Sequence, residues 1–394
     1  MPDRTKAGFP AGAQSLLRSM NARAVLEIVH RDGPISRAAI AEATGLSKPT
    51  VSQTMATLLS ARVIEETGHV QGRKGPAAGL YEVRPTSALS AAVDIGHDKV
   101  RVAISDLAGQ ILASRQVPAR RRFGTLVTQV RDVLDELTAE LETSVKSLVH
   151  VVVGVPAVVD ADNNTLTLSD SLPNDGVGFP QAIRAALKCP VTFENDVNLA
   201  VLGEREHGHG RDVDDFVFLS VGTGVGVGIV LGGQLYRGMS GAAGEIGYLP
   251  GDDPAVLPTA PRTRAMIEAT LSGEAIVAEA AARGMRDASA PEVFDHARAG
   301  SAPAEQVVDV IAARIAYVIA CVTAVLDPRL VVLGGGVGLN RDLLLDPVTR
   351  HVEGLSPFAP RIEVSKIGAD AVLLGAVAMT SSLARETVFS AATV

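Results

Sequence analysis

A short stretch near the N-terminus concentrates hydrogen-bonding side chains of the kind that read DNA base edges. These residues are Ser47, Lys48, Thr50, Ser52 and Gln53. Apolar residues at helical spacing accompany them, namely Val51, Met55, Leu58 and Leu59. Because the apolar face turns inward, the polar side chains project outward from the first turns, where a recognition helix meets the major groove. The helix N-terminus can also receive a DNA phosphate.

Asp196 is placed where a side chain can act on a small ligand. It follows the predicted strand Val191–Glu194 and opens a helix. A carboxylate at such a junction can take a proton from a hydroxyl, accept hydrogen bonds from a ligand, or cap the following helix. These alternatives stay open, and ligand binding and capping are compatible.

Two glycine-rich runs could approach a nucleotide. They are the alternating set Gly222, Gly224, Gly226 and Gly228, and the triplet Gly334–Gly336. Glycine spacing alone does not specify a nucleotide site. We favour a tight β-turn for the first run. The second could accept adenosine or let a helix pack close to a sheet.

The predicted recognition helix follows two others. Residues 14–32 carry one apolar stripe at helical spacing, which comprises Leu17, Met20, Ala24, Val25 and Ile28. Ser36 can cap a second helix, which Gly45 closes, and Ser47 can cap the third.

A hairpin follows these helices and ends in residues 80–83. Its tip carries Arg73 and Lys74, and cations on a slender loop suit the minor groove or flanking phosphates. The order of caps, turn and hairpin predicts a winged helix-turn-helix that binds DNA. The alternative is a small helical module used for packing or protein contacts.

Composition and charge restrict the class of protein. The chain has 394 residues, 47% hydrophobic and 20% charged, which indicates a globular protein of more than one domain. The net charge is −8, yet residues 1–84 hold 11 Lys and Arg against 7 Asp and Glu. A basic head on an acidic body indicates that only the head meets a polyanion.

Cysteine usage and the lengths of apolar runs indicate the cellular compartment. Cys189 and Cys321 form no CxxC pair, which argues against a disulfide framework or a thiolate metal site. The N-terminus lacks a signal-peptide pattern, and we expect no apolar run to approach the length that spans a bilayer. We therefore predict a cytoplasmic protein without a membrane partner.

The remaining chain alternates strands and helices. Three strands separated by the turns GHD and LAG open it, followed by a helix over 125–145 and strands at 150–155 and 191–194. A second such unit begins at Asp215, with two strands, several helices and a further strand at 330–333. This pattern predicts an α/β body of two lobes around a cleft.

Five motifs occur in order in this body. They are VDIGHDKVRVAISDLAG, ENDVNLAVLGE, VGTGVGVGI, SGAAGEIGY and DPRLVVLGGGV. They resemble the first phosphate loop, catalytic segment, second phosphate loop, signature and adenosine segment of the ROK family (repressors, open reading frames and kinases). The resemblance covers nearly the whole chain and implies an actin-like ATPase or sugar-kinase fold, which is ribonuclease H-like. Members with an N-terminal helix-turn-helix act as sugar-responsive repressors, whereas the plain kinases lack it.

The resemblance also implies ligand contacts. Asp196 matches the family's catalytic base and Asn195 its neighbour, while Glu245 and Glu268 match carboxylates that suit sugar hydroxyl pairs. Gly154 matches a loop that borders the sugar, and Tyr248 stands where the family has a histidine. The implied effector contacts are Gly154, Asn195, Asp196, Glu245, Tyr248 and Glu268.

Departures from the family imply lost functions. His97 and Asp98 replace a Gly-Thr pair in the first phosphate loop. A carboxylate about 4 Å from a phosphate charge would repel it by roughly 4 kcal/mol at an effective dielectric near 20. Tyr248 and the cysteine-free TAPRTRAM segment replace the histidine and three cysteines that hold a structural zinc in typical members. We therefore expect no catalytic residues, with Asp196 a vestigial base, and neither metal nor cofactor.

Together these features predict a winged helix-turn-helix over residues 1–85 and a sugar-kinase-like domain over 86–394. Lobe 1 covers about 88–197 with a C-terminal helix at about 369–386, and lobe 2 about 198–368. We predict a homodimeric or tetrameric repressor that binds operator DNA and a carbohydrate-type effector. The alternatives are an active ATP-dependent sugar kinase with a fused head, and a ligand-independent regulator whose body only dimerises.

Overall fold

The computed structural model describes residues 11–70, 78–160, 165–168, 172–249 and 266–393. The N-terminal module contains α1 (Ala11–Asp32), β1 (Ile35–Ser36), α2 (Arg37–Thr44), α3 (Lys48–Ser60), β2 (Ile64–Val70) and β3 (Ala78–Val83). β1 and β2 both pair antiparallel with β3. This arrangement confirms the predicted winged helix-turn-helix, with β2 and β3 as the strands of the wing.

The helix caps of this module are those that the sequence indicates. Ser36 Oγ accepts a hydrogen bond from the Ala39 amide, and Ser47 Oγ from the Thr50 amide, each at 3.3 Å. Gly45 lies between α2 and α3 with φ of 69°, where a residue with a Cβ would be strained. The turn that separates α2 from α3 is therefore set by local chemistry.

The buried face of α1 differs from the prediction. Its buried residues are Ala22, Val25, Leu26 and Val29. Leu17 and Met20 are 50% and 59% exposed, so their assignment to the core was wrong. Apolar residues occur on two faces of α1, and the face that packs against α3, β3 and the last helix of the chain is the buried one.

The first part of the body is a layered α/β unit. Its elements are β4 (Leu89–Ile95), β5 (Lys99–Asp106), β6 (Ile111–Pro118), α4 (Phe123–Glu140), β7 (Val151–Val155), β8 (Val158–Asp160), β9 (Thr165–Thr167), α5 (Phe179–Leu187), β10 (Val191–Asn195) and α6 (Asp196–His207). The main sheet has the order β10-β7-β4-β5-β6, in which β4 to β6 form an antiparallel meander and β7 and β10 are parallel to β4.

The second part repeats this topology. Its elements are β11 (Phe216–Val221), β12 (Val225–Leu231), β13 (Gln234–Leu235), α7 (Met266–Leu271), α8 (Gly273–Ala282), α9 (Ala290–Arg298), α10 (Ala302–Leu326), β14 (Leu330–Gly334), α11 (Gly335–Gly338), α12 (Arg341–Leu355), β15 (Arg361–Val364) and α13 (Ala371–Thr393). The sheet order β13-β12-β11-β14-β15 matches the first sheet strand for strand. The two predicted α/β lobes are confirmed, while the helices α5, α7, α11 and α12 were not predicted.

Within the described residues, two helices are long and apolar enough to cross a membrane by length and composition. They are α10 and the segment Gly368–Val388, so the expectation that no apolar run approaches this length was wrong. Burial inside the protein accounts for much of their apolar character. In α10, 56% of the most apolar window is buried, and Ile311, Ile315 and Ile319 lie in the core of the second lobe.

Candidate nucleic-acid interface and ligand cleft

The start of α3 presents a polar surface to solvent. Ser47, Lys48, Ser52 and Gln53 are exposed and Thr50 is partly exposed. The opposite face is buried through Val51, Met55 and Leu58, as predicted. Pro49 occupies the first turn of α3 and supplies no backbone N–H, whereas the remaining amides of that turn point out of the helix N-terminus. This geometry suits contact with a groove and its flanking phosphates.

Ser47 and Thr50 are coupled to each other. Their hydroxyl oxygens lie 2.8 Å apart, and Ser47 also caps α3. Both hydroxyls can still accept or donate one further hydrogen bond. Arg73 and Lys74 lie outside the described residues, so the cationic wing tip stays a prediction.

A cavity of about 230 Å³ is lined by residues from both lobes of the body. Asp196, Val197 and Ala200 of α6 line one side. Phe218 and Ser220 of β11 line another, and the remaining wall comes from Lys99, the start of α11 and residues 368–372. The repeated topology places this cavity at the carboxyl ends of parallel strands, where α/β proteins usually bind ligands.

Asp196 stands at the N-terminus of α6 in this cleft. Burial and the nearby negative charges of Asp94 and Glu245 raise the pKa of Asp196 to about 7. Its Oδ1 accepts a hydrogen bond from the Val197 amide at 2.9 Å, so it also contributes to capping. The side chain can thus act as acceptor when ionised and as donor when protonated at neutral pH.

Glu245 lies close enough to Asp196 to act on it electrostatically, and Glu268 lies close enough to act on Glu245. Burial and the negative charge of Glu268 raise the pKa of Glu245. Glu268 lies close to the turn between β11 and β12, since a Cβ on Gly224 would be 3.5 Å from its Oε1. The structure therefore brings together three of the predicted effector contacts, each with oxygens that suit hydroxyl groups.

The other predicted contacts have structural partners. Asn195 caps α6, because its Oδ1 accepts from the Val197 and Asn198 amides, and its Nδ2 donates to the Ala157 carbonyl oxygen at 3.1 Å. Gly154 lies inside β7, where a Cβ would approach Leu199 Cδ1 to 2.6 Å. Tyr248 is 48% exposed at the end of the signature segment.

Two glycines of the alternating set lie inside β12 and serve close packing. A Cβ on Gly228 would lie 2.5 Å from the Val197 carbonyl oxygen, and one on Gly226 would lie 3.2 Å from the Val197 side chain. Positive φ values occur at other glycines but at neither of these. Their spacing alone indicated the backbone needs of a tight β-turn, and for Gly226 and Gly228 this reason was wrong. Glycine is required at both positions because α6 approaches β12 closely.

Asp98 is exposed to solvent and paired with neighbouring side chains. Its side chain is 83% exposed and bonded to Arg121 at 3.0 Å and to His97 Nδ1 at 2.9 Å. Exposure and a cationic partner weaken its repulsion of a phosphate. The electrostatic argument built on Asp98 is thus not supported by its surroundings.

A buried ion pair, which sequence reasoning missed, lies beside Asp196. Arg101 is 8% exposed, and its Nε donates to Asp94 Oδ2 at 2.7 Å. Its Nη1 also donates to the Ala369 carbonyl oxygen at the cavity wall. Asp94 and Arg101 are cross-strand partners in the antiparallel pair β4–β5. The position of the GHD turn fixes this register, so the sequence contained the signal for the pair.

The zinc prediction cannot be placed on the structure. The TAPRTRAM segment occupies residues 259–266, and all of it except Met266 lies outside the described residues. The absence of a zinc ion therefore stays a prediction from the ligand types.

Comparison with known proteins places both parts of the chain. The ROK family pattern matches residues 90–382, and a winged helix-turn-helix DNA-binding pattern matches residues 21–65. A xylose repressor from Caldicellulosiruptor bescii is 24% identical over 94% of this chain and 98% of its own. A glucokinase from Halalkalibacterium halodurans is 28% identical over 72% of this chain and 92% of its own.

A solved structure shares the whole architecture. It is a ROK family transcriptional regulator, a homologue of the E. coli MLC protein, with a TM-score of 0.81 and 21% identity. The match covers 96% of this chain and 99% of the other. This likeness establishes the fold of head and body together.

Proposed function

Because the chain belongs to the ROK family and carries a winged helix-turn-helix, we propose that it is a DNA-binding transcriptional regulator, most simply a repressor. The observation that carries this proposal is the exposed polar start of α3 on a winged module fused to a kinase-like body. Whole-length similarity to a xylose repressor supports it. The plain sugar kinase among the relatives matches only 72% of the chain.

The body is proposed to sense a carbohydrate-type effector in the cleft. Asp196, Glu245 and Glu268 offer carboxylate oxygens near one another, and neighbouring oxygens of this kind accept hydrogen bonds from the hydroxyls of a sugar. Asn195 and Gly154 contribute indirectly, because their described contacts are within the protein. They hold α6 and β7 in the positions from which these elements border the cleft. Tyr248 is proposed to border the ligand from the signature segment, which is consistent with its half-exposed side chain.

The body is further proposed to lack phosphoryl transfer. Kinases hold Mg²⁺ with carboxylates so that the metal can bridge the phosphates. Here Arg101 already binds Asp94 and also reaches Ala369. A fixed guanidinium therefore neutralises the carboxylate next to Asp196 and disfavours a second cation there. We expect no cofactor and no catalytic metal.

A regulator of this kind acts as a dimer or higher oligomer in the cytoplasm. A single head covers one half-site, and two-fold symmetric operators match two heads. Effector binding must favour one of two arrangements of the heads, because only differential affinity shifts such an equilibrium.

One observation favours an active sugar kinase as the second candidate. A carboxyl group with a pKa of about 7 at the family's base position is well suited to general base catalysis. The Arg101–Asp94 pair opposes this candidate. A sensitive ADP-release assay across hexoses, N-acetylhexosamines and pentoses would detect it.

Isothermal calorimetry with ATP–magnesium and with a panel of sugars and sugar phosphates separates these candidates. Heat from a sugar but none from the nucleotide is the expected result for an effector sensor. Clear nucleotide binding together with sugar-dependent ADP release would replace the proposal with the kinase. Nucleotide binding without turnover would contradict only the inferred block at Asp94.

A further inference from the structure

Helices α6 and α13 both begin at the cleft and end near the DNA-binding head. Asp196 and Ala371, the first residues of the two helices, line the cavity. With a rise of 1.5 Å per residue, Glu206 lies about 15 Å along α6 and Arg385 about 21 Å along α13. Each helix therefore connects the ligand cleft with the far side of the first lobe.

The two helices are held together by backbone contacts at two glycines. A Cβ on Gly375 would lie 1.7 Å from the Leu199 carbonyl oxygen, and one on Gly203 would lie 2.3 Å from the Ala371 carbonyl oxygen. Surfaces that fit this closely resist sliding, because any displacement produces overlap of rigid main-chain atoms. The pair α6 and α13 therefore moves as one body.

The far end of α13 is built into the head. Ala384 belongs to the buried cluster that contains Val25 and Leu26 of α1. Arg385 is 8% exposed and donates from Nη1 to the Leu107 carbonyl oxygen at 2.7 Å. Leu107 itself packs in the same cluster, so Arg385 links α13, the β5–β6 turn and the head core.

Charged groups from three helices meet around His30 at the end of α1. The pKa of His30 is lowered to about 4 by burial and by the positive charge of Arg385, and Glu206 opposes this shift. Glu27 and Glu386 also act on Arg385 through their negative charges. α1 in turn packs against the recognition helix α3.

We propose that α6 and α13 form a rigid lever that couples ligand binding at Asp196 to the position of α1, with Arg385 as the positioning residue at the head. This inference rests on the proposed regulatory function. Closure of the cleft around a ligand displaces the N-terminus of α6, and the locked pair carries that displacement to Arg385. Because α1 packs on α3, the recognition helix then changes its orientation relative to the body.

Binding linkage gives a test that needs no knowledge of the effector. If the cleft influences the head, DNA on the head must influence the cleft by the same free energy. Hydrogen–deuterium exchange is measured on the full chain with and without a duplex selected for binding from a random-sequence library. We expect DNA to change exchange in α6 and in the first half of α13, and to leave α12 unchanged, since α12 packs on α9, α10 and β15.

The variant Arg385→Met tests the head end of the lever. It keeps the apolar packing of the side chain but removes the guanidinium and its bond to Leu107. Its Kd for DNA should stay within about threefold of the wild-type value, because Arg385 is remote from the polar face of α3. The exchange response of α6 should be lost. Arg131→Met is the matched control, since it makes the same substitution at an Arg whose 3.2 Å pair with Asp135 is exposed and lies within α4, and it should keep the response.

Each outcome decides the proposal. Bound DNA without any exchange change in α6 and α13 of the wild type overturns the lever and leaves DNA binding intact. A response in Arg385→Met equal to that of the wild type overturns the role of Arg385. If anisotropy titration detects no DNA binding, the proposed function fails, and the lever fails with it. If Arg385→Met does not fold, the wild-type comparison alone decides.

Discussion

Replacing Asp196 with Asn should stabilise the protein, and increasingly so as pH rises. The wild-type carboxyl has its pKa raised from 3.8 to about 7, chiefly by burial and then by the charge of Asp94. A raised carboxyl pKa means that the folded state holds the proton more tightly than the unfolded state does. As the pH rises from about 4 to about 7, deprotonation of Asp196 therefore lowers the free energy of unfolding of the wild type. Asp196→Asn has no such proton to lose.

The size of the effect follows from the shift. One pKa unit corresponds to about 1.4 kcal/mol, so a shift of about three units sets a ceiling of roughly 4 kcal/mol above pH 7. Asp196 is only partly buried, so solvent screening reduces the expected gain to about 2 kcal/mol. Asn can keep the bond from the Val197 amide. For a domain of this size the gain corresponds to a rise in Tm of roughly 4–8 °C at pH 8.

The assay is a thermal melt of both proteins from pH 5 to pH 8.5. The difference in Tm should widen with pH and level off above about pH 8. Asp98→Asn serves as the control, because it also removes one negative charge, but from an exposed carboxylate paired with Arg121. If Asp196→Asn melts no higher than wild type at pH 8, or if the difference does not change with pH, the burial of an acidic Asp196 in the cleft is refuted.

Four further substitutions test other parts of the structure. Gln53→Ala should lower discrimination at one base pair by about 1–3 kcal/mol, whereas Lys48→Ala should weaken all DNA sites evenly and reduce the salt slope by about 1, as salt-dependent anisotropy would show. Arg101→Met should destabilise the fold by about 3–5 kcal/mol in urea unfolding, because Asp94 loses its buried partner. Gly244→Ala should cost at least about 2 kcal/mol in the same assay, since its φ is +94° and a Cβ would lie 1.8 Å from the Val227 carbonyl oxygen. An unchanged salt slope in Lys48→Ala would contradict its contact with phosphate. An unfolding midpoint equal to that of the wild type would contradict the structural role assigned to Arg101 or Gly244.

Local chemistry made most of the head predictable. The caps at Ser36 and Ser47 and the glycine at position 45 are encoded by neighbouring residues, and the structure confirms all three. The face of α1 was not predictable in the same way. Its apolar residues form two stripes, and the choice between them depends on α13, which lies more than 300 residues later in the chain.

The ligand cleft was predictable in part. The topology and the carboxylates near Asp196 were expected, because the motifs carry them. The chemistry around them depends on contacts distant in sequence, such as the bond from Arg101 to Ala369 across 268 positions. Asp98 shows the converse, since a residue in the expected phosphate loop turned to solvent and paired with Arg121. No local pattern encodes either outcome.

Selection of binding sites from a random-sequence duplex library, followed by footprinting of the enriched sequence, tests the central claim most directly. We expect an inverted repeat with half-site centres about 34–36 Å apart, or a multiple of that distance, which the wild type protects and which Gln53→Ala protects only at higher protein concentration. Failure to enrich any sequence above the starting pool would contradict the assignment of this protein as a DNA-binding regulator.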